Sequence, residues 1–280
     1  MTLVRLILLV FAAVTFVVIG DTAGKLMTAA GVSPVFVAWT RFAIALCVIL
    51  PISGIRLSEL ADFRDWRVVG RGIAITCGIA AILTALRTEP IANVFGAFFI
   101  GPVVSYVLAI VFLGEAPSKT RGALLGLGFL GVMLVVKPGF GGTLGMGFAV
   151  LAGCFYGIYL TLTRAVAPAF RPRALLVSQL LIGTVLLTPA GVFVEIPAIT
   201  LGLTGLILVS ALGSAIGNYL LVMANRQAEA TLVAPLVYTQ LISATLVGVM
   251  VFGDRPDALT FLGIGLILVS GFGSLWVGRR

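Results

Sequence analysis

Long apolar stretches recur along the whole chain, and they constrain its fold more than any other feature of the sequence. About twenty consecutive apolar residues form a helix that can cross the hydrocarbon core of a bilayer, which is about 30 Å thick. Only 10% of the 280 residues are charged, whereas about 25% of the residues of a soluble domain are charged. The sequence therefore predicts an all-α polytopic membrane protein with ten transmembrane helices. The predicted spans are residues 3–24, 34–54, 67–87, 90–113, 119–137, 144–165, 172–194, 201–223, 229–252 and 257–277.

The distribution of lysine and arginine predicts the orientation of these spans. An even number of spans places both termini on one side, and that side carries thirteen lysines and arginines against four on the other. Because cytoplasmic loops are enriched in basic residues, we expect both termini in the cytoplasm and the protein in a bacterial inner membrane. These loops also account for the net charge of +8 without nucleic acid as a partner. Arg71 lies near the cytoplasmic end of the third span, and we expect its guanidinium to extend to the interface.

Two pairs of segments indicate an internal repeat. Residues 33–51 align with 171–189 at an offset of 138, with prolines at two matching positions. Residues 111–117, "VFLGEAP", align with 250–256, "MVFGDRP", at an offset of 139. Insertions or deletions of one residue are expected between copies that have diverged, so both alignments are compatible with one duplication.

The repeat divides the chain into residues 1–139 and 140–280, with five predicted spans in each. An odd number of spans makes the second copy enter the membrane from the opposite side. We therefore expect two inverted repeats that together form one membrane domain, with a binding site near their interface.

Three segments of the first copy resemble the EamA-type branch of the drug/metabolite transporter superfamily. They are "WTRF" at 39–42, "ANVFGAFFIGPVVSYVLAIVFLGE" at 92–115 and the glycine-spaced "GALLGLGFLG" at 122–131. Within this family the chain resembles the YddG-like exporters of aromatic and other amino acids. The second copy departs from the pattern, because Gln179 stands in place of the arginine and Asp254 in place of the glutamate.

The resemblance implies a ten-helix export fold with a central cavity. Helices 3, 4, 8 and 9 would mainly line this cavity, and helices 1, 2, 6 and 7 would wall it. Helices 5 and 10 would be peripheral. Their many glycines and the expected absence of buried polar groups favour close helix packing there.

Polar and aromatic side chains inside the spans are the candidate site residues, because such groups are costly in lipid unless they face the interior or a cavity. Amides and phenols are expected either to contact solute or to form hydrogen bonds between helices. For the phenylalanines, packing or lipid contact is the alternative. Together they suit an amino acid or a flat aromatic metabolite. The candidates are Arg41, Asn93, Phe98, Phe99, Tyr106, Tyr156, Tyr159, Gln179, Asn218, Tyr219, Tyr238 and Gln240.

Arg41 lies about 10 Å below the outer end of the second span, counting 1.5 Å per residue from Pro34. A charge at that depth needs a partner or a wet cavity. We expect Asp21 as its partner, with Glu89 as the second choice. Two roles stay open, an ion pair that fixes helices 1 and 2 and an arginine that attracts a carboxylate into the outer vestibule.

Two intramembrane prolines and two acidic residues complete the set. Pro102 and Pro235 lie in segments that the repeat aligns, where each either kinks its helix or acts as a gate hinge. Glu115 and Asp254 end the same two helices. We expect both as loop anchors, Glu115 with Lys119 or Arg121 and Asp254 with Arg255; proton coupling is the alternative.

These features predict a transporter that exports small metabolites by alternating access, with aromatic or other neutral or zwitterionic amino acids as the expected solutes. A passive pore is disfavoured because no ring of repeated charge is present. An enzyme is disfavoured because histidine, paired deep carboxylates and a nucleophile motif are missing. With no histidine and no CxxC spacing among three cysteines, we expect no metal and no cofactor. The remaining alternative is proton-coupled efflux of cations. The resemblance disfavours it, because helix 1 has no glutamate to exchange the proton for a cation. We expect the protein to act as a monomer with a small-molecule solute.

Overall fold

The computed structural model describes residues 3–55, 59, 65–89, 91–136, 143–194, 197–253 and 256–277. These residues form helices joined by short connections, and no β-strand occurs among them. The helices are α1 (Leu3–Ala29), α2 (Pro34–Ile52), α3 (Trp66–Thr88), α4 (Ile91–Phe98), α5 (Gly101–Leu113), α6 (Lys119–Val136), α7 (Leu144–Val166), α8 (Pro172–Val192), α9 (Leu201–Gln227), α10 (Ala230–Val237), α11 (Gln240–Val247) and α12 (Ala258–Val277), with a π-helical turn at Gly248–Phe252.

Eight stretches of the described chain are long and apolar enough to cross a membrane. Six are the single helices α1, α2, α3, α7, α8 and α9. The other two are broken helices, Val94–Leu113 and Ala230–Val251. The prediction of an all-α, multi-pass membrane protein is therefore confirmed. Helices α6 and α12 occupy the fifth and tenth predicted spans, and within α12 the apolar stretch is Ala258–Ser270.

The ends of several helices follow from residues that the repeat aligns. Pro34 and Pro172 start α2 and α8, where the fixed φ of proline suits the first helical turn. Gly114 ends α5 with φ +67°, and Gly253 ends the π-helical turn with φ +70°. Glycine has no Cβ and takes these left-handed values without strain. Both pairs are aligned by the repeat, so the two halves begin and end helices at matching positions.

Each of the two broken spans is interrupted for two residues. The first break, at Phe99 and Ile100, precedes Pro102, which cannot donate a backbone hydrogen bond to Phe98, the last residue of α4. The second break, at 238–239, lies beyond Pro235, which is inside α10. The offset of 139 that aligns the loops also aligns the two breaks.

The first half of the chain (residues up to 136) packs mainly against the second half (residues from 143). Helix α1 packs along α9, α3 along α7, α2 against α8 and α6 against α12. Glycines allow close approach of the backbones. A Cβ on Gly217 would lie 2.6 Å from Ala13 O, and one on Gly153 would lie 2.5 Å from Phe98 O. The two halves of the chain therefore cannot separate without exposing these close contacts.

Helices α6 and α12 meet at a pair of glycines. A Cβ on Gly131 would lie 2.7 Å from Gly263 O, and a Cβ on Gly263 would lie 2.5 Å from Gly131 O. This agrees with close packing through small residues.

The expectation that these two helices carry no buried polar group is wrong. Ser270 is buried and donates a hydrogen bond to Leu124 O at 2.7 Å. Gly128 of α6 also lies against the interior, because a Cβ there would be 2.6 Å from Cδ2 of Tyr238. Helix α6 therefore supports a candidate site residue directly.

Replacing Gly263 by valine should destabilise the protein, because the added atoms would overlap the backbone of Gly131. Overpacking of this kind costs about 1–3 kcal/mol, which corresponds to a fall of roughly 3–10 °C in the unfolding temperature. Thermal unfolding of the purified protein, monitored by size-exclusion chromatography, measures the change. Gly265→Val is the matched control, since nothing lies within 4 Å of a Cβ there. Equal losses in the two variants would contradict the packing argument.

Candidate functional site

Five aromatic rings meet where the broken spans pass α7, and we call them the aromatic cluster. Phe98 lies 5.1 Å from Tyr156 and 5.8 Å from Phe99 between ring centroids. Tyr156 stacks on Tyr159 at 6.2 Å, and Phe99 meets Tyr238 at 5.8 Å. All five were candidates from the sequence. The structure brings them together because Phe99 and Tyr238 occupy equivalent places in the two breaks.

Two hydroxyl groups in the aromatic cluster have no hydrogen-bond partner in the described part of the chain. They belong to Tyr156 and Tyr238, and both oxygens are buried. An unpaired polar group in a protein interior costs about 1–3 kcal/mol, so it is retained where a ligand or water can pair with it. Aromatic faces combined with unpaired phenols form a surface that can receive a flat ring with polar edges.

Arg71 lies entirely inside the protein, so the expectation that its guanidinium extends to the interface is wrong. Its Nη1 donates to Leu175 O at 2.6 Å and its Nε to Thr163 Oγ1 at 3.1 Å. Its Nη2 donates to Gln179 Oε1 at 2.7 Å and to the Tyr159 hydroxyl at 3.4 Å. The guanidinium also lies 5.2 Å from the Tyr159 ring centroid. All these acceptors are neutral, and no described carboxylate forms an ion pair with Arg71.

Arg41 is also buried, but it has an acidic partner. Its Nη1 lies 2.7 Å from Asp21 Oδ1, in a pair whose side chains are 3% and 17% exposed. Its Nη2 donates to Gly20 O at 3.0 Å and its Nε to Ser210 Oγ at 3.2 Å. Glu89, the other partner considered, is instead hydrogen-bonded to Thr143 at the far end of α3.

The two arginines occupy related positions in the repeat. Arg41 with Asp21 and Ser210 forms one network, and the offset of 138 or 139 places these residues on Gln179, Tyr159 and Arg71. Those three residues form the other network. The arginine is therefore on α2 in one network and on α3 in the other. Sequence reasoning missed Arg71 as a member of a buried network, because its partners lie on the distant helices α7 and α8.

The remaining candidates have varied surroundings. Asn218 donates to Ser214 O, one turn earlier in its own helix, at 2.8 Å. The Tyr106 hydroxyl donates to Ser118 O at 3.0 Å and so ties α5 to the following loop. Gln240 is buried, and its side chain forms no hydrogen bond to another described residue. Tyr219 packs on the edge of the hydrophobic core, and the Asn93 side chain lies outside the described residues.

Glu115 connects the two halves at the end of the bundle where α5 and α7 finish. Its carboxylate oxygens accept hydrogen bonds from Ala230 N and Thr231 N, each at 2.9 Å. It also lies 3.5 Å from Arg164 Nε. A carboxylate at the first turn of α10 is stabilised by the free N–H groups and by the helix dipole.

The expectation that Glu115 pairs with Lys119 or Arg121 is wrong, because Glu115 contacts residues of the second half instead. Arg121 forms an ion pair with Glu229, which also belongs to the second half. Asp254, with its expected ion pair, lies outside the described residues.

A cleft of about 180 Å³ lies between α2, α3 and α8, away from the aromatic cluster. Its lining is largely aliphatic and includes Leu175, whose carbonyl binds Arg71. Leu175 therefore belongs both to the lining of the cleft and to the Arg71 network. Among the described residues, no three histidine, cysteine, aspartate or glutamate side chains are grouped as metal ligands.

The chain is similar to known membrane transporters. A model described as the EamA-like transporter family matches residues 4–137 and again residues 143–276. A riboflavin transporter of Rhizobium johnstonii is 28% identical over 252 residues, which is 87% of this chain and 80% of the relative. A riboflavin transporter of Vibrio cholerae is 26% identical over 92% of this chain and 88% of its own.

A relative with another named solute and a solved structure extend the comparison. An S-adenosylmethionine uptake transporter of Rickettsia bellii is 24% identical over 83% of this chain and 80% of its own. A crystal structure with 18% sequence identity covers 99% of this chain and 98% of its own at a TM-score of 0.82. At that identity the likeness establishes a shared fold.

The Asp21–Arg41 pair predicts a coupled effect on stability. Arg41→Gln or Asp21→Asn alone leaves one buried charge unpaired, which costs about 3 kcal/mol. The double variant removes both charges, so we expect it to unfold at a higher temperature than either single variant. Thermal unfolding of the four proteins completes the double-mutant cycle. Additive losses would show that the two charges do not depend on each other.

Proposed function

Because the chain belongs to the EamA-like transporter family, we propose that it carries a flat heteroaromatic metabolite across the membrane by alternating access through a central cavity. The family and the named relatives make the chain a multi-pass membrane transporter of small-molecule solutes and not an enzyme. The observation that carries the proposed solute class is the aromatic cluster with its two unpaired hydroxyls.

Inverted repeats over residues 1–139 and 140–280 are part of this proposal. The family model matches once in each of these ranges. Helix α1 of the first copy packs on α9 of the second, and their counterparts α7 and α3 pack on each other in the same way. Inverted repeats produce such an exchange of equivalent helices. Helices α2 and α8, which the repeat aligns, pack on each other, and so do α6 and α12. These observations support ten membrane helices as two copies of five.

The chemistry of the cluster favours a flat ring over an aliphatic solute. Stacking on Phe98 and Tyr156 favours the binding of a planar π-system. The Tyr156 and Tyr238 hydroxyls can form hydrogen bonds with ring nitrogens or carbonyl oxygens. Two relatives named for riboflavin and one named for S-adenosylmethionine agree with a solute that contains a heteroaromatic ring.

Export of aromatic amino acids is the second candidate function, and the same rings favour it. An amino acid also carries an ammonium group, which needs an acidic or acceptor-rich partner. Asp21 is held by Arg41 in the structure. The heteroaromatic metabolite is therefore the first candidate.

Facilitated transport is favoured over proton-coupled efflux of cations. Proton coupling in a membrane requires a carboxylate that binds the proton and the cation in turn. Among the described residues, Asp21 is paired with Arg41, and Glu115 binds the start of α10. These engaged carboxylates make cation efflux the less favoured mechanism.

We further propose a monomer in a bacterial inner membrane with both termini in the cytoplasm, on the basis of the basic loops. This orientation puts Arg41 in the outer half of the bilayer and places Arg71 and Glu115 toward the cytoplasm. The contacts of Glu115 would then close the cytoplasmic end. Pro102 and Pro235 are the proposed hinges, because each lies in one of the broken spans.

Transport into proteoliposomes tests the solute class. We expect riboflavin, which reports its own movement by fluorescence, to cross more rapidly than tryptophan or tetraphenylphosphonium, with no requirement for a pH gradient. Empty liposomes provide the background. Faster tryptophan transport would favour the second candidate, and transport of tetraphenylphosphonium only under a pH gradient would establish cation efflux instead.

Tyr156→Phe and Tyr238→Phe should separate binding from folding. Each change removes an unpaired hydroxyl, so we expect the unfolding temperature to stay the same or rise. If each hydroxyl pairs with the solute, its loss should weaken apparent riboflavin affinity about three- to tenfold. Tyr106→Phe is the matched control, because its hydroxyl binds Ser118 O near a loop. Unchanged transport in both cluster variants would remove the solute contact from the proposal.

A further inference from the structure

We propose that Arg71 recognises an anionic group, such as a carboxylate, on the aromatic solute. This inference rests on the proposed function, because it assigns a charge to the solute that the aromatic cluster would bind. The argument uses the charge balance of the two arginine networks, the free donors around Arg71 and the contacts that join Arg71 to the cluster.

The charge of Arg71 is not balanced by the described part of the protein. The side chain is 0% exposed, and its acceptors are one carbonyl, one amide oxygen and two hydroxyls. Hydrogen bonds to neutral acceptors satisfy its donors, but they leave a positive charge in a low-dielectric interior. Such a charge is costly, and an anion that enters the site is attracted strongly.

The repeat shows how the same site is balanced in the other copy. Arg41 has Asp21 as its carboxylate at 2.7 Å. The residue aligned with Asp21 in the Arg71 network is Tyr159, which is a phenol. One network therefore has a fixed counter-anion, and the corresponding place in the other holds a neutral group. The solute can supply the missing negative charge in the second network.

Donors remain around Arg71 after its contacts are counted. The Nη1 atom carries two hydrogens and donates one hydrogen bond to a described residue, Leu175. The Gln179 oxygen accepts from both Arg71 and Tyr159, whereas its amide nitrogen donates to no described residue. A carboxylate accepts several hydrogen bonds at once, so it is suited to a guanidinium and an amide side by side.

The Arg71 network is continuous with the aromatic cluster. Tyr156, which has the unpaired hydroxyl, stacks on Tyr159 at 6.2 Å, and Tyr159 lies 5.2 Å from the Arg71 guanidinium. Only the Tyr159 side chain separates Tyr156 from the Arg71 guanidinium. A ring that stacks on Tyr156 would therefore direct a substituent toward Arg71. This juxtaposition selects a flat ring with an anionic substituent and disfavours a cationic one.

A set of three indoles with different charges tests the proposal on one ring. Indole-3-acetate is anionic, indole-3-ethanol neutral and tryptamine cationic at pH 7. Competition against tritiated indole-3-acetate, with the protein in nanodiscs, gives the three affinities. We expect the anion to bind about ten- to hundredfold more tightly than the neutral compound, which is the contribution of a charge-assisted hydrogen bond, and the cation to bind most weakly.

Arg71→Gln should abolish this preference by lowering the affinity for the anion to that of the neutral compound, with little change for the neutral compound itself. Arg71→Lys should retain part of the preference. Arg67→Gln is the matched control, because it neutralises an arginine one turn earlier in α3 that already has a carboxylate, Asp65 Oδ2 at 2.6 Å. We expect the control to keep the full preference.

A second substitution preserves Arg71 in case its removal prevents folding. Thr163→Asp would place a carboxylate beside Nε, where the hydroxyl now lies 3.1 Å away. The new acid should balance the charge and remove the anion preference, whereas the uncharged Thr163→Asn should not. Equal affinities for anion and neutral compound in the unchanged protein, or equal losses for all three compounds in Arg71→Gln, would overturn the proposal. Binding of none of the three would contradict the proposed function itself.

Discussion

Two guanidinium groups enclosed between the halves constrain the arrangement of the surrounding helices. A charge in the hydrocarbon region must be surrounded by acceptors, because lipid provides none. Arg41 therefore requires α1, α2 and α9 to meet, since its acceptors lie on α1 and α9. Arg71 requires α3, α7 and α8 to meet in the same way. Apolar packing brings helices together in many arrangements, but these networks fix which helices are neighbours and at what depth.

Small residues beside each arginine make this enclosure possible. A Cβ on Gly24 would lie 3.0 Å from Arg41 Nη2, and a Cβ on Gly20 would lie 3.0 Å from Ser210 O. Gly72, next to Arg71 in sequence, faces Ile182 at 2.7 Å from the position of a Cβ. The glycines are thus needed where a large charged side chain and a close backbone contact share one interface. Hydropathy alone assigns no role to them.

The sequence predicted the parts of the structure that depend on local pattern. Apolar length located the spans, and the aligned prolines marked the starts of α2 and α8. It also pointed to Asp21 beside Arg41, because both lie at similar depth on consecutive helices. Contacts between distant segments could not be derived in this way. Arg71 was assigned to the interface from its place near a helix end, since depth along one helix does not reveal that α7 and α8 cover it. Glu115 was assigned to nearby basic residues, although the N–H groups that it binds follow 115 and 116 residues later.

The two networks also limit how the protein can move under the proposed alternating access. Arg41 keeps Asp21 and Gly20, which belong to its own half, whatever the second half does. All four acceptors of Arg71 belong to the second half, so separating the halves at this point would strip a buried charge of every partner. Breaking a buried network costs about 3–5 kcal/mol, so a state that breaks it is populated roughly a hundred- to several-thousandfold less than a state that keeps it. The motion of lowest cost therefore keeps α3, α7 and α8 together as one unit. Packing of α9 along α1 and against α2 keeps these three helices together as another. The broken spans α4–α5 and α10–α11 are left to change shape between these units, and they carry Phe98, Phe99 and Tyr238 of the aromatic cluster. A repeat boundary in the sequence is then not the boundary between moving parts, because each moving unit contains helices from both copies.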